Sequence, residues 1–311
     1  MKVRFKHRVE YALFLGFARL LRVLPHRAAL CAGCGLAAIV HFIFGFRRKE
    51  ALKRLEEVFG HRYSHKEMKR IAWVSFRNIV FNGVEALRLD RYKKAWFETC
   101  FNHREVLEEV TARTAQGQGV IVVLTHTGNW DLSSRVAELN GIPAVYIARS
   151  QSNPLTYGYF HRVRTKAGIL IEDRDDPAII RKVIRHLNEG RMLGVMVDLR
   201  ARTPSPGLKF LGQEAHIAGG LGLIARKSNA IVLPISIARK GWFKHQWTLN
   251  EPIQSDSALP GKVDRQRIMQ HCLDQLSPMI LTDPEQYFWY NKRWVLQPFP
   301  SEPETEALDK N

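Results

Sequence analysis

Apolar residues along this chain recur with two alternating patterns. Residues 120–124 (VIVVL) are apolar without interruption, end in the polar turn THTGN, and lead into WDLSSRVAEL, whose apolar residues have helical spacing. An unbroken β-branched run of that length predicts a strand buried on both faces, too short to cross a bilayer. The unit recurs downstream: strands are expected at 142–150, 169–174 and 192–198, with helices at 153–168 and 176–189, the latter closed by Gly190. Strand and helix alternating at these lengths predict an α/β fold with a mostly parallel central sheet flanked by helices. Residues 201–220 are rich in Pro and Gly, too broken for core, and are expected to loop over the site. A helix at 221–228, strands at 230–239 and 242–253, and a helix at 264–281 follow.

Before the first strand the pattern is helical. Residues 11–24 form an amphipathic helix stopped by Pro25, residues 28–46 carry no formal charge, and most of 47–115 has helical spacing. Ser64 with Glu67 three positions on is a capping box, and Trp73 and Phe76 fall on the packing face of the helix it starts. This divides the chain into basic and apolar membrane-associated helices at 1–46, a helical region packed on the core at 47–115, an α/β core at 116–299 and a disordered acidic tail at 300–311.

Charge changes the picture for the N-terminal part. The 311 residues are 45% hydrophobic, enough for a real core, and carry a net charge of +17. Within the first 70 positions lie sixteen Lys and Arg against five acids, so the excess sits where the chain is also most apolar. A basic flank beside an apolar helix suits an anionic membrane surface. Nucleic acid is disfavoured, since its recognition calls for aromatic residues interleaved with Lys and Arg across an exposed sheet. The apolar run begins too late for a cleaved signal peptide, and both a bilayer span and an interfacial helix fit it. Cys31 and Cys34 make one C-x-x-C inside that run, with no second ligand pair; neither a metal nor a disulfide framework is implied, and a reducing cytoplasmic setting fits.

Chemistry converges on the end of the first strand. His126 and Asp131 bracket a strand-to-helix corner, where parallel α/β folds open their ligand crevice. A carboxylate beside a His fixes the tautomer and stabilises the imidazolium, so that the free nitrogen takes a proton from a hydroxyl. Asn129 lies between them as an N-cap and a candidate substrate contact. The chain has no G-x-S-x-G elbow and no Cys near the corner, so direct attack by an acceptor hydroxyl fits better than a covalent acyl-enzyme. A soluble hydrolase activating water on an ester or phosphate, and a His that only braces the turn, are the other readings. No H-E-x-x-H or comparable metal cluster is present, and no cofactor is called for.

The chain resembles the late acyltransferases of lipid A biosynthesis and the related acyltransferases of phosphatidylinositol mannosides. The resemblance rests on HTGNWD (126–131), RSQSNPL (149–155) with Arg164 fifteen residues after Arg149, Val197 and Asp198 before a Gly- and Pro-rich loop, FLGQEAHIAGG (210–220) and PEQYFWYNKRW (284–294). Asp131 stands where the lipid A enzymes usually have Glu, and Arg54-Leu55 where an Asn-Leu pair is common. The resemblance implies a glycerolipid-acyltransferase-like fold. It implies transfer of a fatty acyl group from an acyl carrier protein or coenzyme A thioester, as co-substrate, to a hydroxyl of a membrane glycolipid, at the cytoplasmic face of a bacterial inner membrane. His126 would be general base, Asp131 its orienting carboxylate, and Arg164 the oxyanion donor, with Arg149 assisting or holding phosphate. Asp198 and Arg200 are candidates to line the same crevice, and Gly219 and Gly220 to cradle phosphate at the next helix. The segment 284–294 suits either a membrane-facing belt or a packed terminus.

Overall fold

The computed structural model describes residues 3–148, 153–166 and 168–298. Four helices come first: α1 (Phe5–Val23), α2 (His26–Ala38) running into a π-helical turn at Ile39–Ile43, α3 (Arg48–Phe59) and α4 (His65–Ala86). Pro25 separates α1 from α2. Ser64 and Glu67 start α4 with the expected capping box, the Ser64 N–H donating to Glu67 at 2.8 Å. Then come α5 (Lys94–Cys100), β1 (Phe101–Asn102) and α6 (Arg104–Ala115). The alternating part comprises β2 (Val120–Leu124), α7 (Asp131–Leu139), β3 (Ala144–Ala148), α8 (Pro154–Lys166), β4 (Leu170–Asp173), α9 (Ile179–Asn188) and β5 (Met192–Met196). The chain closes through β6 (Lys209–Phe210), β7 (Gln213–Glu214), α10 (Gly220–Ser228), β8 (Ile231–Lys240), β9 (Lys244–Leu249) and α11 (Gly261–Thr282).

The fold is α/β, with a seven-stranded sheet in the order β1-β9-β8-β2-β5-β3-β4. Every pair is parallel except β8 with β9, which turn on Gly241 as an antiparallel hairpin. All five residues of β2 are buried, and they feed two cores on opposite faces of the sheet. Ile121 and Val123 pack with α3, α4, α10, α11 and the C-terminal segment, while Val120, Val122 and Leu124 pack with the α5 to α8 side. Burial on both faces is why the run does not alternate in polarity.

Two expectations are corrected. A strand, β1, lies inside the region read as helical; two residues are too few to show a period, and Phe101 is fixed by pairing with His245 of β9. The excursion at 201–220 is not a polar loop: Leu208, Phe210, Leu211, Ala215 and Ile217 are all buried, in and around the β6–β7 hairpin. Its Pro and Gly residues permit the tight path, and its apolar residues fasten it to α11 and the core.

The N-terminal helices are docked against α4. Ala29, Leu30, Gly33, Ala37 and His41 form one buried stripe along α2 and its π-helical turn. Gly33 permits the approach, since a Cβ there would lie 2.8 Å from the Val84 side chain. At the end of α1, Arg22 forks onto Asp90 at 2.6 and 2.9 Å, and Arg88 donates to the Leu24 carbonyl at 2.8 Å, satisfying a C-terminal carbonyl group.

Candidate active site

Sheet register brings the central pair together. Strands β2 and β5 run parallel with Leu124 level with Met196, so His126 and Asp198, each two residues further on, leave the sheet side by side. The Asp198 carboxylate accepts from the His126 backbone N–H at 2.9 Å and pairs with the ring Nδ1 at 2.8 Å. One buried acid therefore fixes both the position and the rotation of the imidazole, and leaves Nε2 as the nitrogen for chemistry.

The walls around this pair come from distant parts of the chain. The Trp130 ring meets the His126 ring edge to face at 4.8 Å, and Phe288 lies at 6.4 Å. The Phe288 N–H donates to the His126 carbonyl at 2.9 Å, and Thr127 bridges to Tyr287, so the C-terminal segment 284–298 straps over the turn that carries His126. Tyr287 is buried beside Asp198; burial, and then the neighbouring carboxylate, hold its phenol well above the ordinary range and protonated. Burial pulls the His126 pKa down, but the charge and hydrogen bond of Asp198, helped by the charge of Asp131, outweigh it and leave the imidazole above its ordinary value of 6.5.

Asp131 is in the site in a different position from the one expected. As the first residue of α7 it reaches Arg164 of α8, 3.1 Å from carboxylate to guanidinium, and both side chains are about a quarter exposed. It acts on His126 through its charge, and the carboxylate hydrogen-bonded to Nδ1 is Asp198. The correction follows from valence: Nδ1 makes one hydrogen bond, and the parallel register gives that bond to the neighbouring strand. Arg164 also faces the Phe160 ring at 5.9 Å.

Asn129 is corrected as a substrate contact. It is fully buried, its Nδ2 donates to Glu85 at 2.5 Å, and its Oδ1 accepts the Asp131 N–H at 3.1 Å in an Asx turn; the N-cap of α7 is Trp130, one residue later than expected. Arg200 is half-buried two residues past Asp198, with its backbone bridged to Ile217. Gly219 lies against Ser205, whereas a Cβ on Gly220, at the start of α10, would meet nothing within 4 Å. Arg149 lies outside the described residues. Among the described residues there is no cluster of three or more potential metal ligands.

Sequence reasoning missed a buried polar group beneath the turn: Asn82 and Glu85 on α4, Arg239 on β8, and Gln286 in the strap. The available signal was Glu85 itself, an acid four residues beyond Phe81 on the buried stripe of an amphipathic helix.

Comparison with known proteins bears on the chemistry. The profile of the bacterial lipid A biosynthesis acyltransferase family matches residues 1–295. No curated protein matches the chain. Solved structures that match include the 1-acyl-sn-glycerophosphate (LPA) acyltransferase PlsC from Thermotoga maritima, at 17% identity and a TM-score of 0.34 over 79% of this chain and 93% of that one, a likeness too distant to carry an argument. Nearly the whole described chain is spanned by the family profile, and on that ground this protein belongs to the bacterial lipid A biosynthesis acyltransferase family.

Proposed function

We propose that this acyltransferase moves a fatty acyl chain from an acyl carrier protein or coenzyme A thioester to a hydroxyl of a membrane glycolipid, a lipid A precursor in the first instance. The observation that carries the mechanism is the 2.8 Å contact between His126 Nδ1 and Asp198 in a chain that belongs to this family. His126 Nε2 takes the proton from the acceptor hydroxyl as its oxygen attacks the thioester carbon. The tetrahedral intermediate collapses by breaking the C–S bond, and the imidazolium returns the proton to the leaving thiolate. An ester and a free thiol are the products. Asp198 stays ionised throughout, holding the tautomer and balancing the imidazolium, as an orienting acid does in other His–acid pairs. Arg164, steadied by Asp131, is the donor assigned to the oxyanion; Asp131 occupies part of the guanidinium fork and leaves other N–H groups available.

The reading is tested with membranes carrying the protein, a radiolabelled acyl donor and glycolipid acceptors. Transfer is expected with the wild type and none with His126→Ala, while that variant keeps its wild-type melting temperature. Full transfer by folded His126→Ala would overturn the mechanism. Running acyl carrier protein against coenzyme A donors, and lipid A precursors against phosphatidylinositol mannosides, identifies both substrates.

A further inference from the structure

Beneath the catalytic turn lies a charged pair with no access to solvent. Glu85 and Arg239 are joined at 2.5 and 3.1 Å, and both side chains are fully buried. Burial opposes ionisation of Glu85, but the Arg239 charge, together with the adjoining His245, outweighs it and holds the carboxyl well below the usual carboxylate range. Taking two charges out of water is costly and their mutual attraction only roughly recovers that cost, so such a pair is poor evidence of a stability role.

Some of its remaining contacts lie away from the turn, Arg239 donating to the Trp242 carbonyl at 2.9 Å and Glu85 lying 3.6 and 3.7 Å from the His26 and His245 rings, and the others reach two residues of the turn. Glu85 Oε2 accepts from the Asn129 carboxamide at 2.5 Å. Arg239 donates to Asn82 Oδ1 at 2.8 Å, and Asn82 Nδ2 in turn donates to the Gly128 carbonyl at 2.5 Å. The Arg239 backbone is bracketed by the Gln286 side chain at 2.7 and 3.1 Å, while the Gln286 carbonyl accepts the Gly128 N–H at 3.1 Å. Gly128 is thus gripped at both its N–H and its carbonyl, and Asn129 by its side chain. Gly128 also packs directly on β8: its φ is +53°, and a Cβ there would stand 2.6 Å from the Ile237 carbonyl oxygen. His126 lies two residues before this clamp and Asp131 two residues after it.

We propose that Glu85 and Arg239 are positioning residues for acyl transfer: through Asn129 and Asn82 they set the Gly128–Asn129 turn, and with it the placement of His126 against Asp198 and of Asp131 against Arg164. The proposal rests on His126 being the general base. A buried pair kept for this purpose predicts a separation of stability from turnover. Replacing it with apolar residues of similar volume removes the buried charges but takes a partner from Asn82, Asn129 and the Trp242 carbonyl, so the fold is kept with a modest loss of stability, whereas a displacement of about 1 Å at the reacting groups costs on the order of a hundredfold in rate.

The test is the full-length Glu85→Leu/Arg239→Met double variant, measured for melting temperature, kcat and KM. The expected result is a cooperatively folded variant whose melting temperature falls by a few degrees, kcat lowered roughly ten- to a hundredfold, and KM within twofold. A folded double variant with wild-type kcat overturns the proposal. Should the double variant not fold, Asn129→Ala, which leaves the ion pair whole, carries the same expectation for kcat and KM, and wild-type kcat there overturns the proposal equally. His126→Ala runs alongside: if it is inactive while these variants retain full kcat, the positioning role fails and the base stands; if it is active, the base reading itself has failed.

Discussion

At the scale of single residues the site exchanges the parts of two carboxylates: the sequence points to Asp131 as the acid that orients His126 and to Asp198 as a residue lining the crevice. Asp198 holds the His126 ring, while Asp131 holds Arg164 and acts on the ring only through space. Asp198→Asn keeps the shape but weakens the tautomer lock and removes the balancing charge, so kcat is expected to fall by roughly 10²- to 10⁴-fold, in line with other orienting acids. Asp131→Asn frees Arg164 and is expected to cost less than Asp198→Asn; the reverse order in steady-state kinetics would return the orienting role to Asp131. In the proposed mechanism the neutral imidazole is the base, so kcat is expected to rise with pH through a midpoint above 6.5 in the wild type. In Asp198→Asn burial loses its main opponent, and the midpoint of the pH–rate profile is expected to move to lower pH. Linkage has the opposite sense: a raised histidine pKa stabilises the fold fully below pH 6.5, and that contribution is lost as pH rises through the folded value.

At the scale of elements, periodicity was a good guide where packing is regular. The run 120–124 is β2 to the residue, and β3, β4, β5 and the helices between them fall where strand and helix periods alternate. It failed where tertiary contacts decide, at two-residue β1 and at the apolar hairpin β6–β7, whose residues are buried by α11 rather than by their own pattern. The N-terminal helices show a related limit. Residues 26–43 are long and apolar enough to span a bilayer. Yet Ala29, Leu30, Gly33, Ala37 and His41 are committed to the body of the protein, and what remains outward is Leu36, Ile39, Phe42, Ile43, Phe44 and Phe46, beside Phe5, Val9, Leu13 and Leu20 of α1. A helix docked on α4 along its length suits a position in the interface plane, with basic residues toward anionic headgroups. Burying one large apolar side chain in lipid is worth about 1.5–3 kcal/mol. Phe42→Asp/Ile43→Asp is therefore expected to weaken binding to phosphatidylglycerol-containing vesicles by tenfold or more in a sedimentation assay. Raising NaCl to 1 M should weaken wild-type binding without abolishing it, and complete release by salt would argue against insertion.

At the scale of the whole molecule, the site is closed by contacts between its two ends that no local pattern reveals. His126, Asp198 and Phe288 lie just beyond β2, just beyond β5 and in the C-terminal strap, and only the strand order and the strap's course bring them together. The strap is held in turn by α3: buried Arg54 donates to the Trp289 carbonyl at 2.6 Å and lies over the Trp294 ring at 5.1 Å. Burial lowers the Arg54 pKa only to about 10, so the guanidinium keeps its charge at neutral pH. Its planar fork both stacks and donates, which an ammonium cannot reproduce. A buried hydrogen bond from a charged group is worth about 1.5–3 kcal/mol, and in a domain of this size each kcal/mol moves the melting temperature by about 2–4 °C. Arg54→Asn, which restores the common residue but is too short to reach the Trp289 carbonyl by the same path, is expected to melt several degrees lower. Because the strap also carries the Phe288 N–H to the His126 carbonyl, kcat should fall in the same variant, and Arg54→Lys should recover only part of either loss. Wild-type melting and turnover in Arg54→Asn would mean that the strap holds its place through Trp289, Tyr290 and Trp294 packing alone, leaving Arg54 with no part in closing the site.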